Sequence, residues 1–593
     1  MATAHTRKNV PLNTFQKTVV DFRNGYAVAM AAPGSGKTVV IVERIRNIIN
    51  EGVPAKDVLS LTFTKEGAKE MAERAALDGD EKVFSTFHSW ALAFIRREYL
   101  ALPFKVKTDY HGVASPLCLP LDACRMLAQI CRHLPDKVQW KDAQSFISRM
   151  KRRGISPQMA YRSIENDGEE KFVAAYAKYE SALREKGVLD FDSIVIETAN
   201  LLKNREDVRR RNQFKFVQVD EAQDTDAVQW SIIKAITSQY GNALAVGDEN
   251  QGMYSWRGSE SNLTSYFTSL FPGARIFPLP VNYRSTQEIV SYCKEIAPNQ
   301  NETVTGLSTP NEKGVAPTFR LYTREDEEAK NVIIGCRDLG NTAILARTNR
   351  QLAAFENECA NLGLRYKLLG KSGFWSQREV KDVVAMIGAV VKPTDANVLG
   401  AIKSRCEMTK FIRKADSREH KGVPSTLEAM QAREVGKASL YSLLCRYQGD
   451  GADAVHNLGH QLRGLRSEVS RLNGTDGVRR IIERFGVLSS YDEDDNKDEN
   501  VDNDPRDNIM KLVEYAGKKK SADEFFEWTI KVQRGLRART DCLTLSTIHQ
   551  SKGKEWRRVC VVGVNDDVLP HVKGDYEEER RIFFVACSRA AQR

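Results

Sequence analysis

Residues 26–38, Tyr26-Ala-Val-Ala-Met-Ala-Ala-Pro-Gly-Ser-Gly-Lys-Thr38, decide the fold. The first six are apolar and run into a Pro/Gly turn, as a buried strand does when it feeds a loop. The last eight, Ala31 to Thr38, match the phosphate-binding loop in its final Gly, Lys and Thr, with Ala31 in the first Gly position. Small residues let the backbone N–H groups of Ala32, Gly34, Ser35 and Gly36 surround phosphates. The helical pattern that follows, Val39–Asn50, adds the favourable dipole of a helix N-terminus. Lys37 is expected to contact the β- and γ-phosphates, and Thr38 to hold Mg²⁺. The alternative, a chance glycine turn, is disfavoured by the strand before it and the helix after it.

Further strands are expected at 57–63, 216–219 and 243–246, with helical patterns between them. Strands alternating with helices argue for an α/β fold with a parallel sheet. The strand Phe216-Val-Gln-Val219 ends in two acids. Asp220 is expected to hold Mg²⁺, directly or through water, and Glu221 to orient and activate the attacking water. An acidic pair after a strand is common, and gains weight here only beside the phosphate-binding loop. Between the two motifs, from about Trp90 to Asn200, the pattern is mostly helical and reads as an insertion. A second α/β pattern starts near Arg275, with strand-like 342–345. It is interrupted near Gly388–Pro393 by another long helical region and resumes at 543–547 and 559–564. Residues 492–504 are acidic and read as a solvated loop, since the spacing of a calcium loop is missing.

At 593 residues the chain exceeds one ordinary domain. Its 41% hydrophobic content is that of a globular protein, and no apolar run is long enough to cross a membrane. The first ten residues lack the apolar core of a signal peptide, so a cytoplasmic address is expected. A net charge of +10 is compatible with a polyanionic partner without demanding one. Among the eleven cysteines no C-x-x-C occurs, and Cys118, Cys124 and Cys131 read as buried thiols rather than zinc ligands. The basic runs 151–153, 209–211 and 518–520 read as solvated helix faces ahead of phosphate contacts.

Several longer motifs follow in order. They are Thr62-Phe-Thr-Lys65, Thr86-Phe-His88, Asp220-Glu-Ala-Gln-Asp-Thr225, Val246-Gly-Asp-Glu-Asn-Gln-Gly-Met-Tyr-Ser-Trp-Arg-Gly258 and Asn282-Tyr-Arg-Ser285. Near the end come Thr547-Ile-His-Gln-Ser-Lys-Gly-Lys-Glu-Trp556, Glu577-Glu-Glu-Arg-Arg581 and Val585-Ala-Cys-Ser-Arg-Ala590. Their order and spacing resemble the UvrD/Rep/PcrA family of superfamily 1 helicases, from about Leu12 to Arg593.

The resemblance implies two RecA-like P-loop motor domains with parallel sheets, each carrying a mainly helical inserted domain. Residues 1–89 and 201–280 would form the first motor and 90–200 its insertion. Residues 281–390 and 542–593 would form the second motor, apparently truncated at its C-terminus, and 391–541 its insertion. ATP would bind with Gln16 reading the adenine edge, Tyr283 stacking on the base and Glu555 holding the ribose. Gln251 would sense the γ-phosphate, and Arg74, Arg284 and Arg589 would contact phosphates. Arg284 and Arg589 would act as arginine fingers, although a surface helix arginine is an even alternative for Arg589. Single-stranded DNA would pass over aromatic platforms, Tyr254 and Trp256, and over Phe63, His88, Phe191 and Arg257. By composition alone, Trp256 reads as a core tryptophan.

The implied activity is 3′ to 5′ DNA unwinding driven by ATP and Mg²⁺. Its substrates would be single-stranded DNA and single-strand/duplex junctions, in repair, recombination or replication. A single-stranded DNA translocase that strips bound proteins and a regulatory DNA-binding subunit with weak ATPase are the alternatives. Two departures stand out. Ser404-Arg-Cys-Glu-Met-Thr-Lys-Phe411 lacks the Gly-Ile-Gly-type turn with which the family's second insertion contacts duplex, and Lys554 stands where an apolar residue is common.

Overall fold

A computed structural model describes residues 11–77, 83–109, 111–135, 138–164, 166, 168–253, 262–370, 374–403, 452–492, 505–535, 542–572 and 574–593. The chain forms two compact units, residues 1–319, 552–557 and 569–593, and residues 320–551 and 558–568.

The first unit is built on six parallel strands. These are β1 (Tyr26–Ala31), β2 (Val58–Thr62), β3 (Phe84–Thr86), β4 (Phe216–Val219), β5 (Ala243–Gly247) and β6 (Arg275–Leu279), in the order β3-β2-β4-β5-β1-β6. Every neighbouring pair is parallel, with Ala27 of β1 opposite Leu244 of β5 and Arg275 of β6. β6 therefore closes the first sheet rather than opening a second pattern near Arg275. Successive side chains of a strand point to opposite faces. Val28, Met30, Leu59, Leu61, Val217 and Val219 join one core, while Ala27, Ala29, Ala31, Val58, Leu244 and Val246 join the other. A sheet apolar on both faces is what parallel strands with helical crossovers require.

Because all six strands run the same way, every loop after a strand leaves the same sheet edge, where open α/β sheets bind ligands. β1 hands over to 32–36 and then to helix α1 (Lys37–Asn50). β4 hands over to Asp220, β5 to Asp248 and β6 to Asn282. β2 and β3, at the far end of the order, hand over to Phe63 and His88.

The first insertion packs helices Pro120–Arg132, α2 (Trp140–Arg152) and Glu170–Glu185 around their own core, in which Cys118 and Cys131 are buried. Helix α3 (Phe191–Asn204) returns to the sheet through Ile194, Val195, Leu201 and Leu202. Its start is tied to α2 by Lys151, which is fully buried between Glu180 (2.6 Å) and Asp190 (2.7 Å). The solvated-face reading fails for Lys151. Burial pulls its pKa down, but two carboxylates overcompensate and raise it. The neighbouring Arg152 pairs with Asp192 at 3.3 Å. Of the other basic runs, Arg211 pairs with Glu98 (2.6 Å) and Lys518 with Asp326 (3.2 Å).

The second unit holds a four-stranded parallel sheet of β7 (Thr342–Ala346), β8 (Tyr366–Leu368), β9 (Leu543–Thr547) and β10 (Arg558–Val561), ordered β10-β7-β9-β8. Beside it lies a helical core centred on Arg378–Val391, whose buried residues include Val380, Val383, Met386, Ile387, Val390 and Val391. A helix apolar on several sides must be covered on several sides. Pro505–Ala516 and Ala522–Gly535 are among the helices that cover it. Residues 404–411, the acidic stretch 493–504, and Tyr254, Trp256 and Arg257 lie outside the described residues. Among the described residues no helix is long and apolar enough to cross a membrane.

Candidate functional site

The phosphate-binding loop owes its shape to two glycines. Gly34 and Gly36 have φ of 70° and 80°, a region open to glycine at no steric cost. A Cβ on Gly34 would lie 2.8 Å from Cβ of Arg284, and one on Gly36 2.9 Å from Nε2 of Gln16. Gly36 is also the N-cap of α1 and supplies no side-chain acceptor, so the first-turn N–H groups stay available for an anion. Ser35 Oγ is buried without a hydrogen-bond partner. Gln16, itself buried, donates through Nε2 to Ser35 O at 2.9 Å. Lys37 Nζ lies back over the loop, 3.4 Å from Ala31 O.

Asn282 locks this loop to the segment after β6. Its Nδ2 donates to Pro33 O (2.8 Å), while its Oδ1 accepts from the backbone N–H groups of Arg284 and Ser285 (both 2.8 Å). Tyr283 N donates to Gly34 O at 2.9 Å, and its half-exposed ring carries a hydroxyl that accepts from Asn13 at 2.6 Å. Ser285 Oγ donates to Ala590 O (2.6 Å), which brings in the end of the chain. Helix α4 (Tyr576–Cys587) precedes that end.

The carboxylates follow β4. Glu221 sits at φ 51°, a left-handed conformation unusual for a side chain of its size and of the kind that clusters at functional sites. Its Oε2 accepts from Gln223 Nε2 (2.6 Å) and lies 3.7 Å from Lys552 Nζ. Burial raises the Asp220 carboxyl, and the adjacent Glu221 charge raises it further, against Lys37 and Lys552. For Glu221 burial also works upward, but Lys552, Lys37, Gln223 and Arg589 outweigh it and hold the group ionised.

After β5, Gln251 is buried. Its Nε2 donates to Asp248 Oδ2 (2.6 Å) and its Oε1 accepts from Arg589 Nη2 (2.9 Å). Arg589 is 2% exposed, which removes the surface-arginine alternative. Burial and then Arg284 bring its pKa down to about 9, opposed by Glu221 and Asp248, so it keeps its charge at neutral pH. Arg284 donates from Nε to Glu555 Oε2 (2.6 Å) and from Nη1 to Ser588 O (3.1 Å).

At the β2–β3 end, the His88 and Phe191 rings meet edge to face at 6.0 Å, with Phe191 exposed at the first position of α3. Phe63 and His88 share a cavity of about 210 Å³ with Arg152, Asp192, Val195 and Gln229.

Sequence comparison agrees with this geometry over nearly the whole chain. Residues 12–272 match the UvrD/REP helicase N-terminal domain, and residues 277–417 and 449–593 match the UvrD-like helicase C-terminal domain. The chain belongs to the UvrD/REP helicase family. Among its relatives is the ATP-dependent DNA helicase Rep of Escherichia coli (strain K12), 28% identical, with 98% of this chain and 89% of the relative covered. The ATP-dependent DNA helicase PcrA of Bacillus subtilis (strain 168) is 26% identical, covering 98% and 82%. PcrA of Staphylococcus aureus (strain MRSA252) is 27% identical, again covering 98% and 82%.

In this UvrD/REP-family chain, with its RecA-like parallel sheets, one edge of the first sheet brings together most of the candidates. The phosphate-binding loop, Gln16, Asp220, Glu221, Gln251, Tyr283, Arg284, Glu555 and Arg589 form one connected set. Arg74 stands apart, its side chain paired with Glu70 at 2.5 Å on its own helix. Asn282 and Lys552 join this set although neither is among the sequence-based candidates. Asn282 lies inside a quoted motif, and its burial is the signal that it works as a clamp. Lys552 also lies inside a motif, 547–556, and its Nζ lies 2.5 Å from Asp224 Oδ2 and 3.0 Å from Gln251 O, partners far away in sequence. The glycine cradle and the unpartnered Ser35 hydroxyl fit a triphosphate. Asp220 follows β4 at the same sheet edge as the loop that carries Thr38, and this pair fits an Mg²⁺ held largely by phosphates, which needs only one or two protein ligands.

Proposed function

We propose that this chain is an ATP-dependent DNA helicase that translocates 3′ to 5′ on single-stranded DNA and unwinds duplex. One arrangement carries the reading. A single sheet edge holds Lys37, Glu221, Gln251, Arg284 and Arg589 at its β4-β5-β1-β6 end, and an aromatic group of Phe63, His88 and Phe191 at its β2–β3 end. Phosphate chemistry and base stacking then share one rigid scaffold, as a motor that converts hydrolysis into stepping requires.

In this reading the N–H groups of Ala32, Gly34, Ser35 and Gly36, with Lys37, bind the phosphates. Thr38 and Asp220 hold Mg²⁺, which supplies charge neutralisation at the transferring phosphoryl group. Glu221 orients the attacking water. Gln251, already bonded to Arg589, reports the γ-phosphate, and Arg284 and Arg589 stabilise charge in the transition state. Tyr283, Gln16 and Glu555 recognise the nucleoside, and Glu555 must leave Arg284 to do so. Arg74 joins the phosphates only by leaving Glu70. Tyr254, Trp256 and Arg257 extend the DNA path. The four-part division into two motors (1–89 with 201–280, and 281–390 with 542–593) and two insertions (90–200 and 391–541) belongs to the same proposal. So do a cytoplasmic location and a role in DNA repair, recombination or replication at single-strand/duplex junctions.

The test is strand separation with ATP and Mg²⁺ on duplexes bearing a 3′ or a 5′ single-stranded tail, beside a translocation assay on single strands. The 3′-tailed duplex is expected to be unwound and the 5′-tailed one left intact. Unwinding from the 5′ tail alone overturns the direction. Translocation without strand separation replaces the helicase with a translocase that clears proteins from DNA.

A further inference from the structure

A cation paired with Glu221 comes from far along the chain. Lys552 Nζ is fixed by Asp224 Oδ2 at 2.5 Å and by the main-chain oxygen of Gln251 at 3.0 Å, and it lies 3.7 Å from Glu221 Oε2. Its side chain is 11% exposed, so the contact is shielded from solvent. That same Glu221 oxygen already accepts from Gln223 Nε2 at 2.6 Å, and Gln223 Oε1 in turn accepts from Asp248 N at 3.0 Å. An ionised carboxylate is acceptor-only, and each filled lone pair is one fewer for water. Glu221 thus has one oxygen committed to the protein before any water arrives.

The anchor points give the contact a direction. Gln251 O sits between the Gln251 side chain, bonded to Asp248 and Arg589, and Gly252, whose carbonyl accepts from Arg581 Nε at 2.8 Å. A displacement of 251–252 pulls one of the two acceptors away from Lys552. In sequence this backbone runs directly into 254–257, residues proposed above to meet DNA.

We propose that Lys552 is a positioning residue that restrains Glu221 in the absence of DNA, and that movement of 251–252 on DNA binding releases the carboxylate to order the attacking water. The proposal rests on the reading of Glu221 as the group that activates water. Low turnover without DNA is then a built-in property of the site, set by an ion pair rather than by a missing group.

The experiment measures steady-state ATPase with and without single-stranded DNA for wild type, Lys552→Met, Lys552→Gln, Lys552→Arg and Glu221→Gln, with thermal melts of each. Lys552→Met is expected to raise the DNA-free rate by up to about tenfold, a barrier change that one ion pair can supply. The ratio of DNA-stimulated to DNA-free turnover falls by the same factor. Lys552→Gln behaves alike and serves if the methionine variant melts early, while Lys552→Arg keeps the low DNA-free rate. A DNA-free rate that is unchanged or lowered in both neutral variants overturns the restraint. If Glu221→Gln hydrolyses ATP normally, the reading of Glu221 fails, and the restraint with it. If Glu221→Gln is inactive while the Lys552 variants show no rise, only the restraint fails.

Discussion

Glu221→Gln is expected to bind ATP as tightly as wild type and to lose hydrolysis by roughly 10²–10⁴-fold, the range for removing a positioned general base. The amide keeps the side chain's size and its place after β4, so the phosphate-binding loop and the Asn282 clamp are untouched. What disappears is an ionised oxygen able to accept from water. Lys552, Lys37, Gln223 and Arg589 keep Glu221 ionised against the pull of burial, so wild type presents that oxygen well below neutral pH. The measurement pairs equilibrium binding of a fluorescent ATP analogue with steady-state phosphate release. Undiminished release would remove Glu221 as the catalytic carboxylate. Lost binding would mean that the substitution had disturbed the site itself.

Arg589→Ala carries the second large effect. An arginine that stabilises a transferring phosphoryl group contributes about 10³–10⁵ in rate, and a loss of that order is expected here. The position supports it. Arg589 is buried, donates to Gln251 Oε1 at 2.9 Å and to Val585 O at 3.1 Å, and lies in the field of Arg284, Glu221 and Asp248. Alanine also strands Gln251 Oε1, at a cost of about 1–3 kcal/mol for an unpaired buried group, so some loss of stability is expected alongside. Arg589→Lys separates the two effects. It keeps the charge but not the planar fork, so it should melt nearer to wild type and still lose most turnover. An alanine variant that melts early but turns over normally would make Arg589 a structural arginine.

The fold was legible wherever the signal is local. The runs at 26–31, 216–219 and 243–246 emerge as β1, β4 and β5 within a residue, because each is apolar, short and bounded by turn formers or acids. Hydrophobic period says nothing about which sheet a strand joins. β6 therefore looked like the start of a second pattern, although its neighbour is β1. The basic run at 151–153 shows the same limit in charge. A sequence displays three cations in a row, but not the carboxylates that meet Lys151, Glu180 from another helix and Asp190 from the N-cap of α3. Motif spacing marked the residues around the phosphate-binding loop, because backbone geometry there dictates residue type. Lys552 lies inside the motif 547–556, but its partners Asp224 and Gln251 lie hundreds of residues away, so the motif does not show its task. The resemblance implies separate tasks for Arg284 and Glu555, whereas the structure bonds them to each other.

The central claim is that nucleotide turnover at this sheet edge is coupled to nucleic acid. Steady-state ATPase of wild type and Lys37→Ala, with and without single-stranded DNA, tests it most directly. Strong stimulation by DNA in wild type, abolished in Lys37→Ala, is the predicted result. Turnover that ignores DNA, or that survives the loss of Lys37, would contradict it.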